Sequence, residues 1–233
     1  MRGLRRIGCW LTVIAILAGC ASSNVSDYRP YHGHIPRPDR ILVYDFAAVP
    51  SDLPPPVDIA GQGVAAMPLT PVQLTIGRAL GQAVATKLAA DLQAMGLPAV
   101  RATGQPAPRP GDALLAGYFL LVDPGNATER VVLGFGAGGA ELKTVARGYL
   151  VTEDGLHALG SGQVDAGSGK MPGGAVPLVV TAITANPIGL AVGGAAKAYG
   201  EISGSETIDG AAERTAQEIA DKIRVTAERQ GWI

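Results

Sequence analysis

The stretch RVVLGFGAGGAELKTVARGYLVTEDG, residues 130–155, decides the fold class. It contains a literal G-x-G-x-x-G at residues 134–139, after the β-prone run 131–133 and about twenty residues before the acidic pair 153–154. A dinucleotide site needs a strand, a glycine turn and then a helix whose N-terminus faces the pyrophosphate. The fold class therefore depends on whether a helix or a strand follows the glycines.

The residues after the glycines favour a strand. Val145 and Tyr149 are β-formers, and Gly148 is a poor helix residue. The next segment, GLHALGSGQVDAG, reads as the antiparallel partner, with a turn at Asp154-Gly155. A lone G-x-G-x-x-G is weak evidence for a nucleotide. We therefore expect a β-hairpin, and glycines that form a turn or bulge.

Outside this stretch, the sequence pattern predicts three more strands and two long helices. The strands are RILVYDFA at 40–47, LPAVRA at 97–102 and DALLAGYFLLVD at 112–123. Apolar residues recur every three or four positions over 72–95, which predicts a long amphipathic helix after the first strand. A second amphipathic helix is predicted over 205–230. Together they predict an α/β or α+β domain spanning residues 40–233, with one mixed sheet and a β-rich middle.

The boundaries of the first helix also have sequence signals. Thr70 and Pro71 form a plausible N-cap and N1 pair, and Gly96 follows as the C′ residue. Its predicted core face consists of Ile76, Leu80, Val84, Leu88, Leu92 and Met95.

Composition excludes a nucleic-acid-binding role. The 233 residues are 47% hydrophobic, and the formal net charge is −1. No basic stripe is present that could neutralise phosphates. Aromatic residues make up only 5%, so the core must be built from Ala, Val, Leu and Ile.

The first twenty residues resemble a bacterial lipoprotein signal peptide over residues 1–19. Three arginines precede the apolar run 7–17, which is too short for a permanent transmembrane helix. The run ends in Leu-Ala-Gly-Cys, which looks like a lipobox, and the resemblance implies lipid attachment at Cys20 and cleavage before it. An ordinary cleaved signal peptide and an uncleaved anchor are the alternatives. Ala21 after the cysteine points, by the same resemblance, to the outer membrane, with the domain facing the periplasm.

The lipidated Cys20 would begin a flexible tether over residues 20–39. This segment has no apolar periodicity and is rich in Ser, Asn and Pro. Extended at about 3.1 Å per residue, it would reach roughly 60 Å. His32 and His34 lie in it as H-x-H, but two histidines alone make a poor metal site, so we expect solvated side chains.

The segment 171–196, MPGGAVPLVVTAITANPIGLAVGGAA, carries no charged residue. Its three prolines and five glycines argue against one straight helix. We expect a buried or surface-docked segment. A membrane-interacting or oligomerising element over 172–196 is the alternative.

The segment GNATERVVLGFGAGGAELKTVARGYLV resembles an uncharacterised family of Gram-negative lipoproteins, domain of unknown function 4410. The resemblance extends over about residues 40–228 and implies location and fold, but no activity. The matching residues are Gly125, Asn126, Arg130, Gly134, Phe135, Gly136, Ala137 and Gly138.

These observations predict a non-enzymatic outer-membrane lipoprotein that presents its domain to a periplasmic protein partner as an accessory or assembly factor. The motifs G-x-S-x-G and H-E-x-x-H are both missing from the sequence. We therefore predict no catalytic, metal-binding or cofactor-binding residue, and Cys20 is the one predicted site. The sequence leaves open whether the chain forms a homo-oligomer. A periplasmic envelope-acting hydrolase is the alternative, and Asp45, Asp123 and Asp154 are its first candidate acids.

Overall fold

The computed structural model describes residues 21–54, 57, 69–125, 140–168 and 207–233. The predicted signal peptide, Cys20, the G-x-G-x-x-G at 134–139 and the apolar segment 171–196 lie outside the described residues, so the predictions made for them stay predictions.

One six-stranded mixed sheet forms the centre of the domain, in the order β1-β6-β5-β4-β2-β3. β4, β5, β6 and β1 run antiparallel to one another in turn, whereas β2 is parallel to both β3 and β4. The strands are β1 (Ala21–Pro30), β2 (Ile41–Val43), β3 (Ala99–Arg101), β4 (Ala113–Asp123), β5 (Glu141–Thr152) and β6 (Gly155–Ser168).

Two helices pack on one face of this sheet. Helix α1 (Pro71–Ala94) lies over β2 and β3, and helix α2 (Ile208–Gln230) lies over β5, β6 and β1. Both helices contribute to one core with strand residues of the same face; its largest fully buried side chains include Ile35, Leu88, Leu92, Leu142, Val43 and Val84. The prediction of one mixed sheet with a long helix after the early strands and a C-terminal helix is confirmed, and the class is α+β.

The ends of α1 lie where the sequence signals place them. The Thr70 hydroxyl accepts a hydrogen bond from the backbone N–H of Gln73 at 3.3 Å, and the Gln73 side chain accepts one from the Thr70 N–H at 2.9 Å. This reciprocal pair satisfies two amides at the helix start. Gly96 has a φ of +82° just after the helix, in the left-handed region that glycine adopts without strain.

The β5–β6 hairpin confirms the interpretation of the glycine-rich stretch as β-structure. Thr152 pairs with Gly155, so Glu153 and Asp154 form the tip, and Gly155 has a φ of +122°. Residues 141–152 form a strand, whereas a dinucleotide site requires a helix there.

The expected tether is wrong for residues 21–35. Residues 21–30 form β1, an edge strand paired with β6. Farther along, the Ile35 N–H donates to Gln230 Oε1 at 3.0 Å, Gln230 Nε2 donates to the Gly33 carbonyl at 2.8 Å, and Trp232 Nε1 donates to the Ile35 carbonyl at 3.1 Å. Ile35 is only 1% exposed. These hydrogen bonds from Gln230, at the end of α2, and from Trp232 hold residues 33–35 against the domain.

A β-bulge explains why the sequence pattern does not predict β1. The register shifts between Ser26 and Arg29, and Asp27 has a φ of +48°. The extra residue breaks the alternation of polar and apolar side chains that identifies a strand. An edge strand also needs few apolar residues, and here Val25 is the main one packed against the core.

Helix α1 closely approaches the segment that follows β2 at Gly81. The Phe46 N–H donates to the Gly81 carbonyl at 3.2 Å, and a Cβ at Gly81 would lie 2.0 Å from the Phe46 carbonyl oxygen. The contact involves backbone atoms, so no side-chain rotation could relieve it.

We expect Gly81→Ala to lower the free energy of unfolding by about 1–3 kcal/mol, because overpacking outweighs the gain of about 1 kcal/mol in helix propensity. Urea unfolding would measure it. The neighbouring Gln82→Ala is the control, since Gln82 is exposed. Equal stability of Gly81→Ala and wild type would contradict the close contact.

A partly buried ion pair between Arg40 and Asp112 holds the start of β4 against the start of β2. Asp112 is 3% exposed and accepts hydrogen bonds from Arg40 Nε at 3.1 Å and from the Arg40 terminal nitrogen at 2.5 Å. The Arg109 N–H donates to the same carboxylate at 2.9 Å. The hydrogen bond from Arg40 is the main cause that lowers the pKa of Asp112, against the opposing effect of burial.

We expect Asp112→Asn to cost about 1.5–3 kcal/mol of stability at pH 7, as for a hydrogen bond to a charged group. Because the folded-state pKa is lowered, this stability is complete above the ordinary value of 3.8 and is lost as the pH falls through the folded value. The difference between wild type and variant should therefore shrink in urea unfolding as the pH falls below about 3.8. Asp221→Asn, in an exposed ion pair with Arg224, is the control and should change stability little. A difference that does not depend on pH would contradict the assignment.

Candidate functional site

The candidate acids of the hydrolase alternative lie apart. Asp123 ends β4, where its carboxylate accepts the Gly125 N–H at 2.8 Å, whereas Asp154 is at the tip of the β5–β6 hairpin. The twelve residues of β5 separate these two ends of the sheet by roughly 36 Å. Asp45 forms an ion pair with Arg101. Asp123 and Asp154 therefore cannot act together on one bond.

The histidines are also dispersed. His32 and His34 are exposed in the segment after β1, and His157 lies edge-on to the Tyr31 ring with centroids 5.1 Å apart. Within the described ranges, no group of three or more His, Cys, Asp or Glu side chains could hold a metal ion.

An open groove of about 550 Å³ lies at the β1–β6–β5 part of the sheet. We call it the arginine groove. Its lining combines two guanidinium groups, hydroxyl groups and apolar side chains: Arg29, Pro30, Tyr31, Arg147, Tyr149, Leu156, Ala158, Leu159, Gly160 and Ser161.

The sheet register places the polar groups of the groove in one row. Arg29 pairs with Ser161, Ser161 with Arg147, and Arg147 with Ala116. Neighbouring strands are about 4.8 Å apart, so the two arginine backbones lie roughly 10 Å apart on either side of Ser161. Side chains alternate between the faces of a strand, and Ala146 belongs to the core under the helices, so Arg147 lies on the opposite face.

Two β-bulges, one in β1 and one in β6, determine which side chains lie on the same face as Arg147. The extra residue at Asp27 directs Tyr28 toward α2, where its hydroxyl lies 3.2 Å from Thr226 Oγ1, and it moves Arg29 to the face opposite α2. In β6, Leu159 is the extra residue and packs against the core. Gly160 beside it has a φ of +156°, and a Cβ there would lie 2.9 Å from the Arg29 carbonyl oxygen. Glycine at 160 therefore permits the close approach of the strand that carries Arg29.

The positive charge of Arg147 affects the pKa of Tyr118 on the neighbouring strand β4. Burial raises the pKa of Tyr118 on β4, and the positive charge of Arg147 opposes this rise. Arg29 is exposed and Arg147 is half-buried. Guanidinium groups recognise carboxylates and phosphates by paired hydrogen bonds, while Tyr149 and Leu156 offer apolar surface. The groove can bind an anionic group attached to a partly apolar molecule.

Sequence reasoning missed the arginine groove. Its two arginines are more than a hundred residues apart in the chain, and Arg29 lies in a segment that reads as a tether. The only local signal is the alternation of Arg147 and Tyr149 in the predicted strand, which places them on one face.

A smaller cavity of about 120 Å³ lies between α2 and the sheet. It is lined mainly by apolar residues such as Val25, Ile219 and Ile223, and it belongs to the core. Among the described residues, no helix has both the length and the apolar character needed to cross a bilayer.

The family model of Domain of unknown function (DUF4410) matches residues 41–185. The match covers more than half of the chain, and the protein belongs to this family. A search of the curated proteins gave no match.

Solved structures also match at low identity. A PelC dodecamer from Paraburkholderia phytofirmans that carries one leucine-to-methionine substitution is 15% identical over 66% of this chain and 85% of that chain, with a TM-score of 0.36. A second PelC dodecamer from the same organism is 14% identical over 66% of this chain and 86% of that chain, with a TM-score of 0.34. These likenesses are too distant to support any argument about this chain.

Proposed function

We propose that this member of the DUF4410 family is a non-enzymatic lipoprotein of the outer membrane, anchored through Cys20, that binds a periplasmic partner as an accessory or assembly factor. The N-terminal sequence supports the anchor, since a basic start, a short apolar run and Leu-Ala-Gly-Cys occur in order. The proposal includes a specific recognition surface, the arginine groove.

One observation carries the binding role: a preformed groove with two arginines in register on the sheet face away from the helices. Strand backbones hold both residues, so little ordering is required when a ligand binds. A partner with a carboxylate or phosphate beside an apolar group matches this lining. The separation of Asp123 from Asp154 removes the support those acids would give to the hydrolase alternative.

The anchor can be tested by the intact mass of the protein extracted from membranes. We expect the mass of residues 20–233 plus acyl chains, and a Cys20→Ser variant should lose both the acyl mass and membrane retention. A full-length, unmodified chain in the cytosol would contradict the proposal.

The recognition surface can be tested by photo-cross-linking in living cells. A benzoylphenylalanine at position 149, in the groove, should give a discrete adduct, whereas the same residue at position 225 on the exposed side of α2 should not. Replacing both Arg29 and Arg147 by glutamine should reduce the adduct about tenfold or more, because hydrogen bonds to charged groups contribute about 1.5–3 kcal/mol each.

The matched control is Arg224→Gln with Arg229→Gln, which changes the net charge equally on the far side of α2. An adduct that survives loss of the groove arginines, or falls equally in the control, would show that the groove is not the contact surface.

A further inference from the structure

Four strand ends meet at one end of the sheet, and we call this end the anchor rim. β1 begins at Ala21, which pairs with Ser168 at the end of β6. Glu141 at the start of β5 pairs with Gly167, and also with Asp123 at the end of β4. These strand ends therefore form one row across the sheet.

Helix α2 also begins at this end. Ser23 donates to Glu218 at 2.5 Å, Tyr28 contacts Thr226, and Ile35 contacts Gln230, so α2 runs beside β1 in the same direction. Ile208 precedes Glu218 by ten residues, or about 15 Å of helix. Ala21 precedes Ser23 by only about 7 Å of strand. The first turn of α2 therefore extends to the rim or beyond it.

Two connections of the chain also have both ends at this rim. Residues 124–140 connect the end of β4 to the start of β5, and residues 169–207 connect the end of β6 to the start of α2. The second connection is 39 residues long and contains the 26-residue stretch 171–196, which has no charged side chain. The hairpin tip at Glu153 and the C-terminal end of α2 lie at the opposite end of the domain.

We propose that the anchor rim faces the lipid bilayer and is held directly against it. This inference rests on the proposed acylation of Cys20. Because β1 starts at Ala21, a single residue of about 3.6 Å separates the acylated position from the sheet. The roughly 60 Å of freedom expected from a tether is therefore lost. The uncharged stretch 171–196 belongs to the connection whose two ends lie at this rim, and a stretch without charged side chains would cost little to bring to a lipid surface.

Charge attraction does not hold this orientation. The rim carries acidic residues, of which Asp123 accepts the Gly125 N–H and Glu141 lies 3.4 Å from Lys143. Asp209 is in the first turn of α2. The position of the anchor in the sheet determines which end meets the membrane, so the orientation should persist in high salt.

Fluorescence quenching of the acylated full-length protein tests the orientation. It would be reconstituted in vesicles of phosphatidylethanolamine and phosphatidylglycerol that contain a headgroup nitroxide lipid. Cys9 leaves with the signal peptide and Cys20 is blocked by lipid, so a dye reacts only with an introduced cysteine. The pair Asp209→Cys and Arg229→Cys places the dye at exposed positions on the first and last turns of α2, about 30 Å apart.

We expect at least threefold more quenching at 209 than at 229, with or without 0.5 M salt. The pair Asp123→Cys and Glu153→Cys repeats the comparison on the sheet, and circular dichroism confirms that each variant is folded. Equal quenching at both ends, none at either end, or the reverse order would overturn the inference.

The intact mass of the same sample separates the two proposals. Acyl mass present without preferential quenching at the rim overturns the orientation alone and leaves the lipoprotein proposal standing. A sample with no acyl mass overturns both.

Discussion

The antiparallel pairing of β1 with β6 is the interaction on which the rest of the molecule depends. It adds the outermost strand to the sheet and places Arg29 beside Ser161. It also brings Ala21 to the end of the sheet where α2 begins. The C-terminal end of α2 and the residues after it reinforce this pairing, since Gln230 and Trp232 form hydrogen bonds with the segment that follows β1. The groove and the anchor rim therefore share one structural cause.

The position of both helices on one face gives the domain two different sides. Small residues at the contact surfaces of α1 and α2, such as Gly81, Ala85, Ala212 and Ala216, let the helices approach the sheet and each other closely. The opposite face carries the groove, where bulges rather than helices determine which side chains are presented. Among the described residues, the side that carries α1 and α2 contains the main core, and the opposite side presents the arginine groove.

Local signals predicted the helices and the hairpin well. A 3.6-residue period and a capping pair act within a few residues, and Thr70 and Gly96 lie where these signals place them. The β1 strand was missed because its bulge breaks the alternation and its position at the sheet edge requires little apolar surface. The groove was missed because Arg29 and Arg147 meet only through pairing with a third strand.

The sequence by itself determined the class of each long element, the absence of a nucleic-acid-binding charge pattern and the family resemblance. These properties depend on composition and on neighbours only a few positions apart. Tertiary structure alone decided the strand order, the row of Arg29, Ser161 and Arg147, and the convergence of Ala21, Glu141 and Ser168 at one rim. Pairing register is a property of two strands together, and a shift of one residue would reverse which side chains share a face.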